Sequence, residues 1–405
     1  MKVVFLAPSY PPEMQQYTRG LAEVGAEVYG VGDAPRRSLP PQLEPYLHDY
    51  LQVPRLLDGD DVVSRVVTWL HGRSVDRVVA NWEVMVETAA RLRERIGVPG
   101  MSSDAVRGFR DKQVMKERVA AAGLRVPRAI RVRTIAETRA AAERIGYPLV
   151  LKPIAGAGSA DTYKIEDAGQ LERVLGRMNH VREASCEEYV TGDEYTFDTV
   201  CIAGKPAFEN IAQYLPKPIE ARSNEWISPV IITVRDMAAA KLQPGIALGR
   251  RVLGALGMGD GFTHMEWFRT AGGDAVFGEI GCRPGGAFLV DQMNYTCDID
   301  LFREWARVVC FHEFKAPTAR KYNAAIVFKR AKGRGRIVRV DGAREFIRRY
   351  RDCIVEDKLL PIGAHRRDWT KTLTSDGHLL LRHPDWDRTY QMAMEAATEI
   401  TMWAE

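Results

Sequence analysis

Two glutamates thirteen positions apart, Glu266 in His264-Met265-Glu266-Trp267-Phe268 and Glu279 in Phe277-Gly278-Glu279-Ile280-Gly281, are followed four positions after the second by Arg283. Carboxylates suit magnesium, which usually takes one or two of them and completes its shell with water and substrate phosphates. An arginine beside them keeps its charge and can hold a phosphoryl oxygen that grows more negative during transfer. Each glutamate sits in a short apolar run, 262–268 and 275–280, and Gly272-Gly273-Asp274 between them reads as a hairpin turn. Two paired strands would aim both carboxylates at one place. Taken alone, the same residues equally suit a charged hairpin in water, with Arg283 as a surface partner.

Upstream lie other groups suited to phosphate. The apolar run 147–153 carries Lys152 near its end, and a lysine buried there is costly unless an anion meets it. The plain reading is a strand-end side chain that snorkels to water. Directly after it, 154–160 is a loop of small residues, with Gly156, Gly158 and Ser159, whose backbone N–H groups can approach phosphate oxygens closely. No Gly-Lys-Ser/Thr follows, so it is not a P-loop. The stretch 186–198 reads as strand, turn at Gly192 and strand. Such a hinge can offer backbone groups to an adenine edge and a carboxylate to ribose hydroxyls, or be an ordinary acidic hairpin.

The elements that position these groups follow from pattern. Strand and helix alternate through the first hundred residues: strands at 3–7, 27–32, 50–53 and 77–80, helices at 15–24, 61–71 and 84–96. That rhythm argues for a parallel sheet with helices on its faces, a Rossmann-like unit ending near residue 108. Its first turn, Ala7-Pro8-Ser9-Tyr10-Pro11-Pro12, lacks Gly-x-Gly-x-x-Gly, so a dinucleotide site there is not expected. A helix from Arg110 to Gly123 and another at 135–145 follow.

Size and composition bound the rest. The 405 residues imply two to four structural units, and 46% hydrophobic residues supply a core. With 57 Lys and Arg against 53 Asp and Glu, and no basic run or aromatic stripe, nothing argues for nucleic acid. Cysteines 186, 201, 282, 297, 310 and 353 show neither CxxC nor zinc spacing and read as buried thiols of a reducing compartment. No apolar stretch reaches the roughly eighteen residues of a membrane span, and no leader is recognisable before the first strand. A soluble cytoplasmic protein is expected, with no membrane partner.

Taken in order, Asp111-Lys112, Lys152-Pro153 with its small-residue loop, Glu187-Glu188-Tyr189-Val190-x-Gly192-x-Glu194, Glu266, and Glu279-x-x-x-Arg283-Pro284-Gly285-Gly286 resemble the ATP-grasp superfamily over about residues 1 to 315. Within it the chain looks most like the carboxylate-amine ligases related to bacterial L-amino acid ligases. The resemblance implies an α/β and α+β architecture: a Rossmann-like N-terminal domain (1–108), a two-lobed ATP-grasp fold (small lobe 109–186, large lobe 187–318) and a small C-terminal α+β domain (319–405).

It also implies roles. Lys112 and Lys152 contact nucleotide phosphates, and the loop with Gly156, Gly158 and Ser159 closes over them. Glu187 and the backbone of Tyr189 and Val190 read adenine, and Glu194 binds ribose. Glu266 and Glu279 hold one or two Mg2+ ions, with Mn2+ as an alternative. Arg283 and Lys152 act at the transferred phosphoryl group, while His264, Gly285 and Gly286 face the substrate. Many relatives have Glu-x-Asn where this chain has Glu279-Ile280-Gly281, so a third oxygen ligand is missing and the number of ions stays open.

The implied reaction is ATP-dependent joining of a small-molecule carboxylate to an amine through an acylphosphate, with ADP and phosphate released, on amino-acid substrates. A biotin-carboxylase-like or purine-pathway carboxylating enzyme and a non-catalytic ATP-binding protein are the alternatives; a homodimer is left open. Between 213 and 234 the polar stretch 214–226, with two prolines, reads as a lid or binding loop from which Arg222 or Lys217 meets an anionic group of substrate or ATP, or equally as a disordered connection. Strands at 322–329, 333–340 and 379–382 and helices at 343–351 and 386–403 are expected at the C-terminal end. The basic clusters 330–336 and 365–367 are expected to be solvated faces.

Overall fold

The structure, a computed structural model, describes residues 1–154, 161–178, 180–372 and 374–405. The apolar run Lys2–Leu6 forms the centre of a four-stranded parallel sheet, flanked by Glu27–Gly32 and Arg77–Val79, with Asp49–Gln52 at the edge. Val3, Val4, Phe5 and Leu6 are all fully buried because helices cover both faces, as a parallel sheet requires. One of those helices, Met14–Glu23, also packs on Leu301–Phe311. Gly20 makes that contact close, since a Cβ there would lie 2.5 Å from the Phe302 carbonyl oxygen. The N-terminal unit is thereby locked to the second half of the chain.

A helix pair follows, Ser103–Arg110 and Lys112–Ala121, where a single helix from Arg110 was expected. Asp111 breaks the run: it is extended, and its carboxylate accepts hydrogen bonds from the Gln113 and Val114 N–H groups. Beyond them the four-stranded antiparallel sheet of the small lobe orders Ala129–Val132, Ala184–Glu188, Leu149–Pro153 and Tyr163–Ile165. The strand Ala184–Glu188 runs across the 186/187 division expected from sequence.

A nine-stranded sheet forms the floor of the molecule. Its path runs through Ala275–Gly281, Gly261–Arg269, Asp193–Ile202, Ala212–Leu215, Val230–Thr233, Asn323–Phe328, His378–His383 and Ile354–Asp357, with Lys205–Asn210 pairing to one side. The C-terminal α+β segment therefore extends the large-lobe sheet through Asn323–Phe328, which lies fully buried beside Val230–Thr233. A small three-stranded sheet completes it.

Three expectations are corrected. The stretch 214–226 is not irregular throughout: Tyr214 and Leu215 end a sheet strand and Pro218–Ser223 is a helix. The final helix ends at Glu399, and Thr401–Ala404 is a strand pairing with Ile337–Asp341 and Lys332–Gly333. Met402 and Ala404 are buried while Thr401 and Trp403 are less so, a two-residue alternation that a helix-period reading absorbs. The expected strand 333–340 is interrupted at residues 334–336. Among the described residues no helix is long and apolar enough to cross a membrane.

Candidate active site

The two opening glutamates are directly opposed. Strands Gly261–Arg269 and Ala275–Gly281 pair antiparallel with Glu266 facing Glu279. The next pair is Trp267 with Phe277, so Gly278 is the extra residue of a bulge. It has to be small, since a Cβ there would sit 2.8 Å from the Glu266 carbonyl oxygen. The bulge fixes the pairing of the carboxylates at the point where the strand bends.

Lysines meet this pair. Asp111, held by its cap bonds and by Arg131 at 2.5 Å, starts a helix whose first residue is Lys112. Lys112 and Lys116, four apart, share a face and are both buried. Lys112 lies 3.5 Å from Glu279 Oε2, and Lys152 reaches the same oxygen at 3.1 Å and Glu187 at 3.2 Å. Burial resists the charge on Glu279, but Lys112 and Lys152 overcome it and hold the carboxyl well below its usual range. Lys152 is desolvated yet pushed up by Glu187 and Glu279. A lysine at the end of an apolar strand is thus a paired charge and not a snorkelling one.

Glu187, expected to read adenine, has its carboxylate engaged by Lys116 at 2.7 Å, Lys152 and the Ser185 hydroxyl at 2.7 Å. Against burial, Lys116 and Lys152 lower it to about 2. It acts as an anchor for the lysines, and Lys116, for which burial outweighs Glu187 and leaves a value of about 8, is a site residue the sequence reading passed over. The i+4 spacing from Lys112 was the available signal.

Lys112, Lys152, Glu187, Tyr189, Val190, Glu194, Glu266 and Glu279 all line one cleft. Tyr189 is flanked by Lys164 at 4.4 Å and Lys217 at 5.0 Å, and Lys217 also reaches the Val190 carbonyl at 3.5 Å. Burial and the nearby Glu266 raise Glu194 well above the carboxylate range. Gly156, Gly158 and Ser159 lie outside the described residues.

His264, Glu266, Glu279, Arg283, Gly285, Gly286 and Arg222 line a second, larger cavity. His264 projects on the same face as Glu266, Nε2 lying 3.8 Å from Oε1, and the Tyr214 hydroxyl donates to that oxygen at 3.3 Å. His264 stands opposite Asp198 across the strands, with Nδ1 2.6 Å from Oδ1. Asp198 is itself held by Thr196 and Asn210. Burial disfavours the imidazolium, but Asp198 outweighs it and raises His264 to about 9. It is a proton donor and a cation near neutral pH, not a base.

Arg283 Nε donates to Glu83, whose other oxygen accepts from Arg110. Nη1 donates to the Pro284 carbonyl at 2.6 Å, and Nη2 has no partner among the described residues. Glu83, from the N-terminal unit, lies against Gly281. A Cβ on Gly281 would lie 3.2 Å from Glu83 Oε2, so a larger side chain would press on the carboxylate that holds Arg283. Gly285 is similarly confined, by Leu289 at 2.7 Å and His264 Nδ1 at 3.1 Å. Ala287 and Phe288 both adopt left-handed backbone, a strained pair at the cavity wall.

Arg222 lines this cavity without an ion pair among the described residues and donates to the carbonyls of Thr370 at 3.2 Å and Thr372 at 3.3 Å. One expectation fails here. The clusters 330–336 and 365–367 are not simply solvated, since Arg330 is buried and both Arg330 and Arg367 line the cavity.

No protein-family model matches the chain. Among curated proteins, it is 23% identical over 245 residues to an L-arginine-specific L-amino acid ligase of Bacillus subtilis, covering 59% of this chain and 58% of that one. It is 24% identical over 276 residues to an alanine–anticapsin ligase of Bacillus subtilis, covering 62% and 57%. The chain thus spans a little over half the length of these relatives. Among solved structures, L-amino acid ligase from Bacillus licheniformis superposes with a TM-score of 0.81 at 18% identity, over 100% of this chain and 98% of that one. N5-carboxyaminoimidazole ribonucleotide synthetase from Thermotoga maritima gives 0.70 at 18%, over 100% and 99%. The shared architecture is that of the ATP-grasp ligases.

Proposed function

We propose that this chain, which has the ATP-grasp fold, is an ATP-dependent carboxylate-amine ligase acting on amino-acid substrates. The observation that carries the reading is a junction: Lys112, Glu266 and Glu279 line both the cleft and the larger cavity. A nucleotide whose phosphates lie on the lysines would end its chain at the carboxylate pair, where a substrate in the cavity meets it.

The donor set fits magnesium. Two opposed carboxylates leave most of the shell to phosphate and water oxygens, as this ion prefers. When bound there, held by Glu266 and Glu279, it would neutralise charge on the phosphates. Among the described residues no third His, Cys, Asp or Glu joins the pair.

The chain's own groups account for the rest. Lys112 and Lys152 hold the terminal phosphoryl group for in-line attack by a substrate carboxylate oxygen, and the bond to ADP breaks. Arg283, oriented by Glu83, offers Nη2 to the negative charge that grows first on the phosphoryl group and then on the carbonyl oxygen. The His264 imidazolium, fixed by Asp198, donates on the same side. An amine nitrogen then forms the C–N bond, phosphate leaves, and the amine proton passes to the departing phosphate. No side-chain nucleophile is needed.

The test is a screen of amino acids, singly and in pairs, for phosphate release with Mg-ATP, with product masses read by mass spectrometry. ADP formation that needs a carboxylate and an amine together, with one amide per ADP, supports the reading. Release that depends on bicarbonate and not on an amine would replace it with a carboxylating activity.

A further inference from the structure

The cavity beside Arg283 measures about 840 Å3, the size of sites that take drug-sized ligands. The C-terminal segment supplies one of its walls. Phe288 and Phe328 bracket the ring of His378, with centroids 4.6 and 5.8 Å away, and Arg330 follows two residues after Phe328. Arg222, Arg367, Lys358 and Lys371 also line the cavity.

Arg222 and Arg330 are the unusual members of this wall. Arg330 donates to the carbonyls of Ala221 at 2.7 Å and Asn224 at 2.8 Å and lies 4.7 Å over the Trp369 ring. Arg222 meets only carbonyls. The carboxylates in the neighbourhood, Glu225 and Asp376, pair with Arg366. Neither Arg222 nor Arg330 has an ion pair among the described residues. Burial pulls both below the ordinary arginine range, and Arg222 adds to the effect on Arg330, which falls to about 10 and stays charged at neutral pH. Two partly buried guanidinium groups that repel each other, offset on Arg330 only by Glu225 and Asp376, which Arg366 already pairs, are costly. None of the charges acting on Arg330 belongs to the Arg283 cluster, so this is a separate cationic site.

We propose that this wall is an anion subsite: a substrate in the cavity carries, besides the group joined near Arg283, a second anionic group, carboxylate or phosphate, bound by Arg222 and Arg330. That a group is joined near Arg283 rests on the ligase function proposed above; the subsite itself does not. It gives the C-terminal segment a task in substrate selection.

The competing account is that both arginines merely tie Pro218–Ser223 and the residues Thr370, Thr372 and Ser375 to the sheet. Calorimetric titration of the full chain, with and without ADP, separates the two without any turnover. The probes are matched pairs: L-glutamate against L-glutamine, and O-phospho-L-serine against L-serine. The anionic member of at least one pair should bind roughly tenfold more tightly or better in the wild type, and the pair that shows it identifies the anion. Arg330→Met and Arg222→Met should each bring that ratio to within about threefold, while Arg330→Lys retains part of it. A structural role would lower thermal stability and leave the ratio alone. The wild type alone can overturn the proposal, by binding neither acidic probe or by binding both members of each pair equally; a ratio preserved in both Met variants also overturns it. Absence of ligase activity with every substrate would remove the function proposed above and leave this result standing.

Discussion

Arg283 is one end of a chain of charges, from Arg110 through Glu83, and the glycine at position 281 makes room for that chain. Replacing Gly281 with Asn should therefore not improve metal use. It should displace Glu83, lower kcat by about tenfold or more, and leave the Mg2+ dependence of the rate unimproved, which steady-state kinetics over a magnesium series would show. Glu279→Gln and Arg283→Ala should each lower ADP formation by at least about a hundredfold, the scale on which single groups that stabilise developing charge act. The glutamate pair and Arg283 stood out by short fixed spacings, whereas Lys112 and Lys152, forty positions apart, were picked out by the order of motifs. Glu83 and Asp198 were not, because their partners lie 200 and 66 positions away and only the fold joins them.

At the level of elements, the hairpin was readable because alternating apolar residues and Gly272-Gly273-Asp274 encode both strands and their turn. Its bulge was not, since the register shift depends on which pairs form. Gly278 carries that shift, and Gly278→Ala puts a Cβ against the Glu266 backbone. The expected cost is about 1–3 kcal/mol by urea denaturation, typical of overpacking, together with a fall in activity from the misaligned carboxylates. The stretch 214–226 misled for a related reason. Prolines and charges made it look irregular, yet Tyr214 and Leu215 pair with Ile231 and Val230, and Pro218 opens a helix at a position where its missing N–H costs nothing. The basic clusters of the C-terminal segment were misjudged likewise: charge runs are usually solvated, and only packing turned Arg330 inward.

Across the whole molecule the cavity brings together the N-terminal unit, the large lobe and the C-terminal segment, and its wall includes an acid with no ion pair among the described residues. Burial, with Glu356, Glu13 and Asp300 adding repulsion, raises Asp291 from 3.8 to about 7. Between those values the folded chain keeps a proton that the unfolded chain has lost. Stability should then fall as pH rises from about 4 to 7 and not recover above it. Asp291→Asn should remove that contribution, gaining on the order of 1 kcal/mol or more at pH 8 relative to pH 5 in urea titrations. The alternating first hundred residues and the order of motifs were enough to read the three-part architecture. The sharing of one sheet by the large lobe and the C-terminal segment required the long-range pairing of Asn323–Phe328. What the whole assembly is for turns on one atom transfer. With a substrate pair in hand, the acid labelled with 18O in its carboxylate should deliver one label to inorganic phosphate for each amide formed and each ADP released. Phosphate free of label, or formation of AMP in place of ADP, would contradict an acylphosphate route and with it the ligase account.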